Sequence, residues 1–277
     1  MAELCLVHAN CQGEALSRLL SSHPPFARCF TIKHYLNYTR EAVPPADLSR
    51  AKLFLYQKLG AHFGDLASEV LLTYLSPSCQ SIQLPNLFFK GYWPFWISAP
   101  ERIDFADSVL EWLLDAQLPL NDIVRIYLSG AHPAFQRLAQ TAEESLAREY
   151  TKEEGCALGC ADLVAALWRT EPLFYTVNHP GPRLIIYVAE QLLQLLGLPP
   201  LTEASKAHFV HPDRDFFLPI HPLVGRALHL PFADHQTRYP VFGQMLTHRE
   251  FVASYLACRL HKVKNLAAFL HGRAGSI

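Results

Sequence analysis

A cysteine near the start of the chain carries the clearest signal for chemistry. Cys11 stands between an apolar stretch typical of a buried strand, residues 4–9, and a segment whose apolar side chains recur at helical spacing, residues 12–20. A thiol at the start of a helix meets unpaired backbone N–H groups and the positive end of the helix dipole, which lower the pKa of the thiol. Cys11 is therefore predicted to be a nucleophile. The alternative is a small buried hydrophobe, the usual state of a free cysteine and our interpretation of Cys5.

A cysteine nucleophile needs a base that takes its proton and later returns it, and histidine is the usual choice because its pKa is near neutral. Of the 14 histidines, His179 follows a predicted strand and precedes a predicted helix, in the turn Asn178-His-Pro-Gly-Pro182. Catalytic residues are often carried on such turns. We predict that His179 is the base; the alternative is a turn residue that caps the next helix. Glu149 and Asp162 are equal candidates for orienting its ring.

Alternating strands and helices must position these side chains. The N-terminal part of the chain predicts strands at 4–9, 29–35, 52–57 and 81–84, helices at 12–20 and 66–75, and a loop around Pro44-Pro45. This order favours an α/β fold, in which a small, mainly parallel sheet has helices on its faces. Ligands of such sheets bind beyond the carboxyl ends of the strands. Gln57 and Cys11 both follow strands there, so we expect them to converge on one crevice.

The later part of the chain is predicted to be mostly helical. The predicted helices are 105–117, 121–129, 133–150, 161–168, 182–196 and 248–270, and a late strand is predicted at 173–177. Residues 198–247 are rich in proline and histidine and show no clear periodicity. No flexible linker separates the parts, so we predict one helix-rich domain over 1–277, with 198–277 as a helical C-terminal extension.

Composition narrows the class of protein. The formal net charge is -1 and the pI is about 6.9, so no global basic field favours a nucleic-acid partner. No stretch approaches the roughly 20 apolar residues of a membrane span, and the N-terminus lacks a signal-peptide pattern. We therefore expect a cytoplasmic location. The seven cysteines are scattered without a regular framework and are expected to be reduced.

The spacing of histidines and cysteines does not favour a metal site. His208 and His211 are close together but lack a matching cysteine pair, and Cys156 and Cys160 supply at most half a site. No metal is predicted. The chain also lacks a G-x-x-x-x-G-K-[ST] phosphate loop and a G-x-G-x-x-G dinucleotide turn, and Cys11 lacks the flanking residues of familiar cysteine proteases.

Basic residues near the predicted strand ends and helix starts are candidates for an anion site. They are Arg18, Lys33, Lys58, Lys90 and Arg183. Lys90 lies in the aromatic segment 85–96 beside Gly91, which is either core or the wall of a pocket that holds a ring or a phosphate. The alternative for each of these residues is an ordinary surface charge.

Several motifs resemble one family, the WcbI-type capsular polysaccharide biosynthesis proteins. The matching stretches are His8-Ala-Asn-Cys-Gln-Gly13, Leu55-Tyr-Gln57, Leu84-Pro-Asn-Leu-Phe-Phe-Lys-Gly-Tyr-Trp-Pro94, Ser145-Leu-Ala-Arg-Glu149 and Leu173-Phe-Tyr-Thr-Val-Asn-His-Pro180. Together they span about residues 4–197, in the family's order. The chain departs from the family pattern at Ala9, where the family has glycine, and no correspondence is found for 198–277.

The resemblance implies a coenzyme A-binding acetyltransferase, with acetyl-coenzyme A as the donor and a sugar hydroxyl as the acceptor. The donor's pyrophosphate would be held by the basic side chains and helix N-termini. The site is then expected to use Cys11 and His179 for catalysis, with backbone N–H groups of Gln12 and Gly13 and side chains of Asn10 or Gln57 as oxyanion donors. The order of nucleophile and histidine is also similar to SGNH-type hydrolases, with cysteine in place of serine.

Two alternatives remain at this point. A thiol-dependent esterase or deacetylase would use the same residues with water as the acceptor. A binding module of a polysaccharide assembly complex would keep Cys11 buried and unreactive. Within the transferase, either Cys11 takes the acetyl group covalently, which we prefer, or His179 activates the sugar hydroxyl for direct attack and Cys11 only shapes the site.

Overall fold

The computed structural model describes residues 2–99 and 101–274. The strands are β1 Glu3–Ala9, β2 Phe30–Leu36, β3 Leu53–Gln57, β4 Gln80–Leu84, β5 Trp96–Ile97, β6 Ala106–Asp107, β7 Phe174–Thr176, β8 His179–Pro180, β9 Arg238–Val241 and β10 Gln244–Thr247. The α-helices are α1 Cys11–Ser21, α2 Pro24–Cys29, α3 Pro45–Arg50, α4 Ser68–Thr73, α5 Ser108–Asp115, α6 Leu120–Ser129, α7 Leu138–Glu153, α8 Ala161–Leu167, α9 Pro182–Leu195, α10 Glu203–Ala207, α11 Pro222–Leu228, α12 His248–Leu260 and α13 Leu266–Ala274. Segments Ala61–Leu66 and Pro133–Arg137 are 3₁₀-helical.

Backbone contacts divide the chain into two compact units, each built from three segments. Unit 1 consists of Met1–Leu87, Glu149–Val164 and His179–Pro212. Unit 2 consists of Phe88–Arg148, Ala165–Asn178 and Asp213–Ile277. The chain therefore passes between the units five times, and neither unit is continuous in sequence. One domain over 1–277 stays a prediction.

Unit 1 is built on a four-stranded, wholly parallel sheet with the order β2-β1-β3-β4. This confirms the predicted parallel sheet of a helix-rich α/β fold. β1 lies between two neighbours and has no accessible surface from Leu6 to Ala9, which explains why apolar residues dominate its sequence. The register aligns Ala9 with Leu36 and Gln57 with Leu84, so β1–β4 end along one edge of the sheet.

Helix α1 packs closely against β1 because its third residue is glycine. A Cβ atom on Gly13 would lie 2.6 Å from His34 Nε2, 2.7 Å from Ala9 Cβ and 3.1 Å from Val7 Cγ1. The apolar face of α1 buries Leu16, Leu19 and Leu20, as the helical spacing predicted. The absence of a side chain at position 13 thus sets the distance between the strand and the helix that follows it.

Gly13→Ala should lower the free energy of unfolding by about 1–3 kcal/mol, because Ala9 Cβ is fixed by the buried strand and the helix must move away. Urea denaturation followed by circular dichroism measures the loss. Gly60→Ala is the matched control: Gly60 has an ordinary φ of -76°, and the nearest atom to its new Cβ is an exposed imidazole 3.3 Å away. A change of more than about 0.5 kcal/mol in the control, or none at Gly13, would contradict this account.

Unit 2 contains the two-stranded antiparallel pairs β5–β6 and β9–β10 and most of the later helices. The prediction of one helix over 248–270 was wrong, since α12 ends at Leu260 and α13 begins at Leu266. The backbone explains the break. Lys262 adopts a left-handed conformation with φ 57°, and the N–H of Val263 bonds to the carbonyl of Cys258, which closes α12 with a Schellman motif.

The loop predicted around Pro44-Pro45 was also wrong, because α3 begins at Pro45. Proline suits the first helical position, where its missing N–H costs no hydrogen bond. Helix α2 begins in the same way at Pro24-Pro25 and was not predicted. At Pro45 the sequence carries a helix start that we had interpreted as a loop, and the same signal at Pro24 was not used.

Candidate active site

The carboxyl edge of the sheet in unit 1 collects short polar side chains. Asn10 follows β1 and is the N-cap of α1, where its Oδ1 accepts a 2.9 Å hydrogen bond from the N–H of Gln12. Cys11 is the first residue of α1 and is half-buried. Asn37 follows β2, and its N–H donates to the carbonyl of Ala9 at 3.1 Å. The thiol of Cys11 thus lies at a helix N-terminus on the edge where α/β proteins bind ligands.

Gln57, the last residue of β3, holds this edge together. Its Oε1 accepts from the N–H of Asn10 at 2.9 Å and from Asn37 Nδ2 at 3.4 Å. Its Nε2 donates to Gln12 Oε1 and to the carbonyl of Pro85, each at 3.2 Å. The side chain is 1% exposed, so both amide hydrogens are used inside the fold. This geometry suits positioning of the turn rather than donation to a substrate.

The backbone donors proposed from the sequence also have partners within the turn. The N–H of Gln12 bonds to Asn10 Oδ1, and the N–H of Gly13 bonds to the carbonyl of Asn10 at 2.9 Å. The side chain of Gln12 is buried and exchanges hydrogen bonds with the backbone of Leu87. Asn10 Nδ2 makes a long contact of 3.5 Å with Asn86 Oδ1 at an exposed position. The Asn10 amide nitrogen is therefore the predicted donor best able to turn toward a ligand.

His179 is half-buried and lies in β8, which packs against α1 within unit 1. Beside it, His211 donates to the carbonyl of Pro180. Burial and the neighbouring charges of His179 and Arg18 lower the pKa of His211 to about 4, so its ring is neutral at pH 7. His179, His211 and Arg18 thus form one cluster on the α1 side of unit 1.

The two carboxylates considered for orienting His179 have other partners. Glu149 is buried and forms a 2.6 Å ion pair with Lys152. Asp162 is exposed and accepts from the hydroxyl of Tyr150 at 2.9 Å. His211 lies close enough to His179 to interact with it electrostatically, and its ring bonds to the carbonyl of Pro180.

The predicted basic residues occupy different parts of the molecule. Arg18 on α1 pairs with Glu14, Lys58 directly follows β3, and Arg183 lies in the first turn of α9, all in unit 1. Lys33 lies in the middle of β2, three residues before its end, and pairs with Asp47. It is therefore set back from the edge that carries Cys11. Lys90 belongs to unit 2.

Sequence reasoning did not assign four residues to this site: Asn37, Asn86 and Lys152 near the turn, and His211 beside His179. Lys152 donates to the carbonyl of Asn86 and brings a cation to the edge of the sheet. Asn37 had a signal, because it follows a predicted strand as Asn10 does. His211 had none beyond its residue type, since its contact with Pro180 joins positions 31 residues apart in an aperiodic segment.

Within residues 2–99 and 101–274, no three His, Cys, Asp or Glu side chains are grouped so that they could hold a metal ion. None of the helices in the described ranges combines the length and apolarity that crossing a membrane requires.

A family model decides the relationship of this chain to known proteins. The model of the polysaccharide biosynthesis enzyme WcbI matches residues 4–201. The chain belongs to the WcbI family. The match includes Cys11, Gln57 and His179, and it confirms the resemblance seen in the motifs. A search of curated proteins finds no match.

A solved WcbI structure shares the fold. It is 19% identical to this chain with a TM-score of 0.77, and the alignment covers 100% of this chain and 96% of that one. That protein is described as a novel polysaccharide biosynthesis enzyme, in its native form without a disulfide bond between coenzyme A and one of its cysteines. The alignment continues past residue 201, where the match of the WcbI family model ends.

Proposed function

We propose that this WcbI-family protein transfers an acyl group, acetyl in the simplest case, from coenzyme A to a sugar hydroxyl during the synthesis of a capsular or other surface polysaccharide. One observation carries the proposal: Cys11 is the first residue of α1, and the same helix packs against the strand that holds His179. Membership of the family supports the polysaccharide role. The description of the solved relative, which pairs coenzyme A with a cysteine, supports the donor.

In the first step we propose, the Cys11 thiolate attacks the carbonyl carbon of the thioester. The new bond from carbon to Cys11 sulfur replaces the bond to the coenzyme A sulfur, and His179 supplies the proton that the departing thiolate takes up. The N-terminus of α1 favours the thiolate before attack. The side-chain amide of Asn10 donates to the carbonyl oxygen as it gains negative charge, while Gln12, Gly13 and Gln57 hold the turn.

In the second step, His179 removes the proton of the sugar hydroxyl, and the oxygen attacks the acetyl carbon on Cys11. The bond to the sulfur breaks, the ester forms and the thiolate is restored. His211 is neutral and bonded to Pro180, so it packs beside His179 without competing for the proton. We propose that this arrangement is SGNH-like, with a cysteine as the nucleophile after β1 and a histidine late in the chain.

Cations on the same unit are proposed to attract the donor's phosphates. Arg18, Lys58 and Arg183 lie on α1, after β3 and at the start of α9, and Lys152 adds a charge beside Asn86. Lys33 is set back from this edge and is a weaker candidate. The proposal places the protein in the cytoplasm, where acyl-coenzyme A donors are made.

The test mixes the full chain with acetyl-coenzyme A and a panel of mono- and oligosaccharides, and follows the release of free coenzyme A thiol. Without an acceptor, the proposed transferase releases at most one thiol per protein molecule, as Cys11 becomes acetylated. With an acceptor, thiol release continues over many turnovers, and the acetylated sugar appears in the same amount. Acetate formed without any sugar would favour the esterase. No turnover, together with a Cys11 that thiol reagents label slowly, would favour the binding module.

A further inference from the structure

We infer that a basic cavity in unit 2 binds the phosphate groups of a small organic phosphate. The cavity has a volume of about 320 Å³. Its polar lining includes Lys90, Arg137, Thr141, Glu144, Ser145 and Arg148. The inference rests on unit 2 alone and does not depend on the transfer chemistry proposed for Cys11.

One face of α7 builds the cavity. Thr141, Ser145 and Arg148 recur at the spacing of successive helical turns and therefore project from the same side. Ser145 is 4% exposed, and its hydroxyl accepts a 2.8 Å hydrogen bond from the N–H of Lys90. The backbone of Lys90 is thus fastened to the helix that carries Arg148. The fold therefore fixes the backbone positions of both cationic residues, Lys90 and Arg148.

Positive charge in the cavity is not balanced by the protein. The single carboxylate, Glu144, accepts from Gln140 at 2.9 Å and lies 3.6 Å from Arg137. Among the residues that the structure describes, neither the Lys90 ammonium nor the Arg148 guanidinium has a carboxylate within 4 Å. Burial, and then the charge of Arg148, lower the pKa of Lys90. Two like charges held together in this way are relieved by an anion placed between them.

The chemistry of the lining selects a phosphate ester. A guanidinium fork beside an ammonium matches several phosphate oxygens at once, and the Thr141 hydroxyl adds a further donor. Pro94 and Phe95 give the cavity an apolar wall for a carbon framework. The volume is at the lower end of the range, about 300–1,000 Å³, in which proteins bind small molecules. The choice of source rests on the proposed function: the phosphate then belongs either to the acyl donor or to a phosphorylated sugar acceptor.

The first experiment is a calorimetric titration of the full chain with pyrophosphate. Arg148→Gln and Lys90→Gln should each weaken binding roughly tenfold or more, because each removes one of the two cations that lack a carboxylate. Arg125→Gln is the matched control. It removes one positive charge from the same unit, but Arg125 is exposed on α6 and pairs with Asp122 outside the cavity. Its affinity should stay within about twofold of the native value.

Equal weakening in the control and in the two cavity variants would overturn the inference, since it would show only a general charge effect. Failure of the native chain to bind pyrophosphate would also overturn it.

A second set of titrations identifies the source of the phosphate. Its ligands are coenzyme A, dephospho-coenzyme A, a sugar phosphate and the free sugar. The cavity holds the ligand that meets two criteria. Arg148→Gln weakens its binding, and removal of its phosphate group weakens its binding to the native chain. These titrations measure binding without turnover, so their results do not depend on whether Cys11 is reactive.

Discussion

Cys11→Ala should abolish acylation of the sugar, lowering kcat/KM by roughly 10³-fold or more, while coenzyme A binding stays within about twofold of the native value. The variant removes the sulfur that carries the acyl group but leaves the hydrogen bonds around Asn10, Gln12 and Gln57 intact. Initial rates with a saccharide acceptor measure the first effect, and calorimetry measures the second. Cys29→Ala is the control, because Cys29 is an exposed thiol at the end of α2 in the same unit.

The same variant decides between covalent and direct transfer. In the covalent route, the native protein mixed with acetyl-coenzyme A and no sugar accumulates an acetyl group on Cys11, which peptide mass spectrometry locates after rapid acid quenching. The direct route forms no such species, and Cys11→Ala would lose no more than about tenfold in rate. In that case His179 alone would activate the hydroxyl.

Acid should destabilise the folded protein steeply between about pH 6.5 and pH 4. Burial is the main reason that the pKa values of His8, His211 and His221 fall to about 4 from an ordinary 6.5. Above pH 6.5 these rings are neutral in both states and add no pH dependence. As the pH falls toward 4, the unfolded chain binds protons that the folded chain excludes, so each histidine costs about 3 kcal/mol. Together they approach the whole stability of a typical domain, about 5–15 kcal/mol.

Urea titrations at a series of pH values measure how the free energy of unfolding changes with pH. Substitution of His8 isolates the contribution of one histidine to this change. His8 is fully buried in β1, and neither ring nitrogen has a hydrogen-bond partner among the described residues. His8→Leu and His8→Gln should both lower proton uptake on unfolding at pH 5 by about one. His8→Leu should also be at least as stable as the native protein at pH 7, because it removes two buried polar atoms without partners. An unchanged slope in both variants would contradict the proposed cause.

Local patterns predicted the part of the fold that carries Cys11. The apolar run of β1 and the helical spacing of α1 lie next to one another in sequence, so periodicity placed both elements correctly. The role of Asn10 as the N-cap of α1 was not predicted, although its residue type and position are typical of one. The same rules missed the helices that begin at Pro24 and Pro45, because a proline pair is also typical of a loop. At Lys262 a helix ends on a left-handed lysine, and no glycine marks the position.

The wider surroundings of the site depend on contacts between distant segments, which patterns do not report. Gln57 was predicted to reach the turn, but the four partners that fully occupy its amide come from three other segments of the chain. His211 lies in an aperiodic stretch, and only the folded chain brings it to Pro180. The proximity of the two cations Lys90 and Arg148 likewise brings together positions 58 residues apart.

The hydrogen bonds that join Asn10, Gln12, Asn37 and Gln57 run through carboxamides, which carry no charge at any physiological pH. The scaffold beneath the thiol therefore keeps its shape while the reacting groups gain or lose protons. A bell-shaped plot of rate against pH would then describe the sulfur and the imidazole themselves, undistorted by movement of their support. A carboxylate at position 57 would remove this independence, because its ionisation would reshape the turn within the same range of acidity.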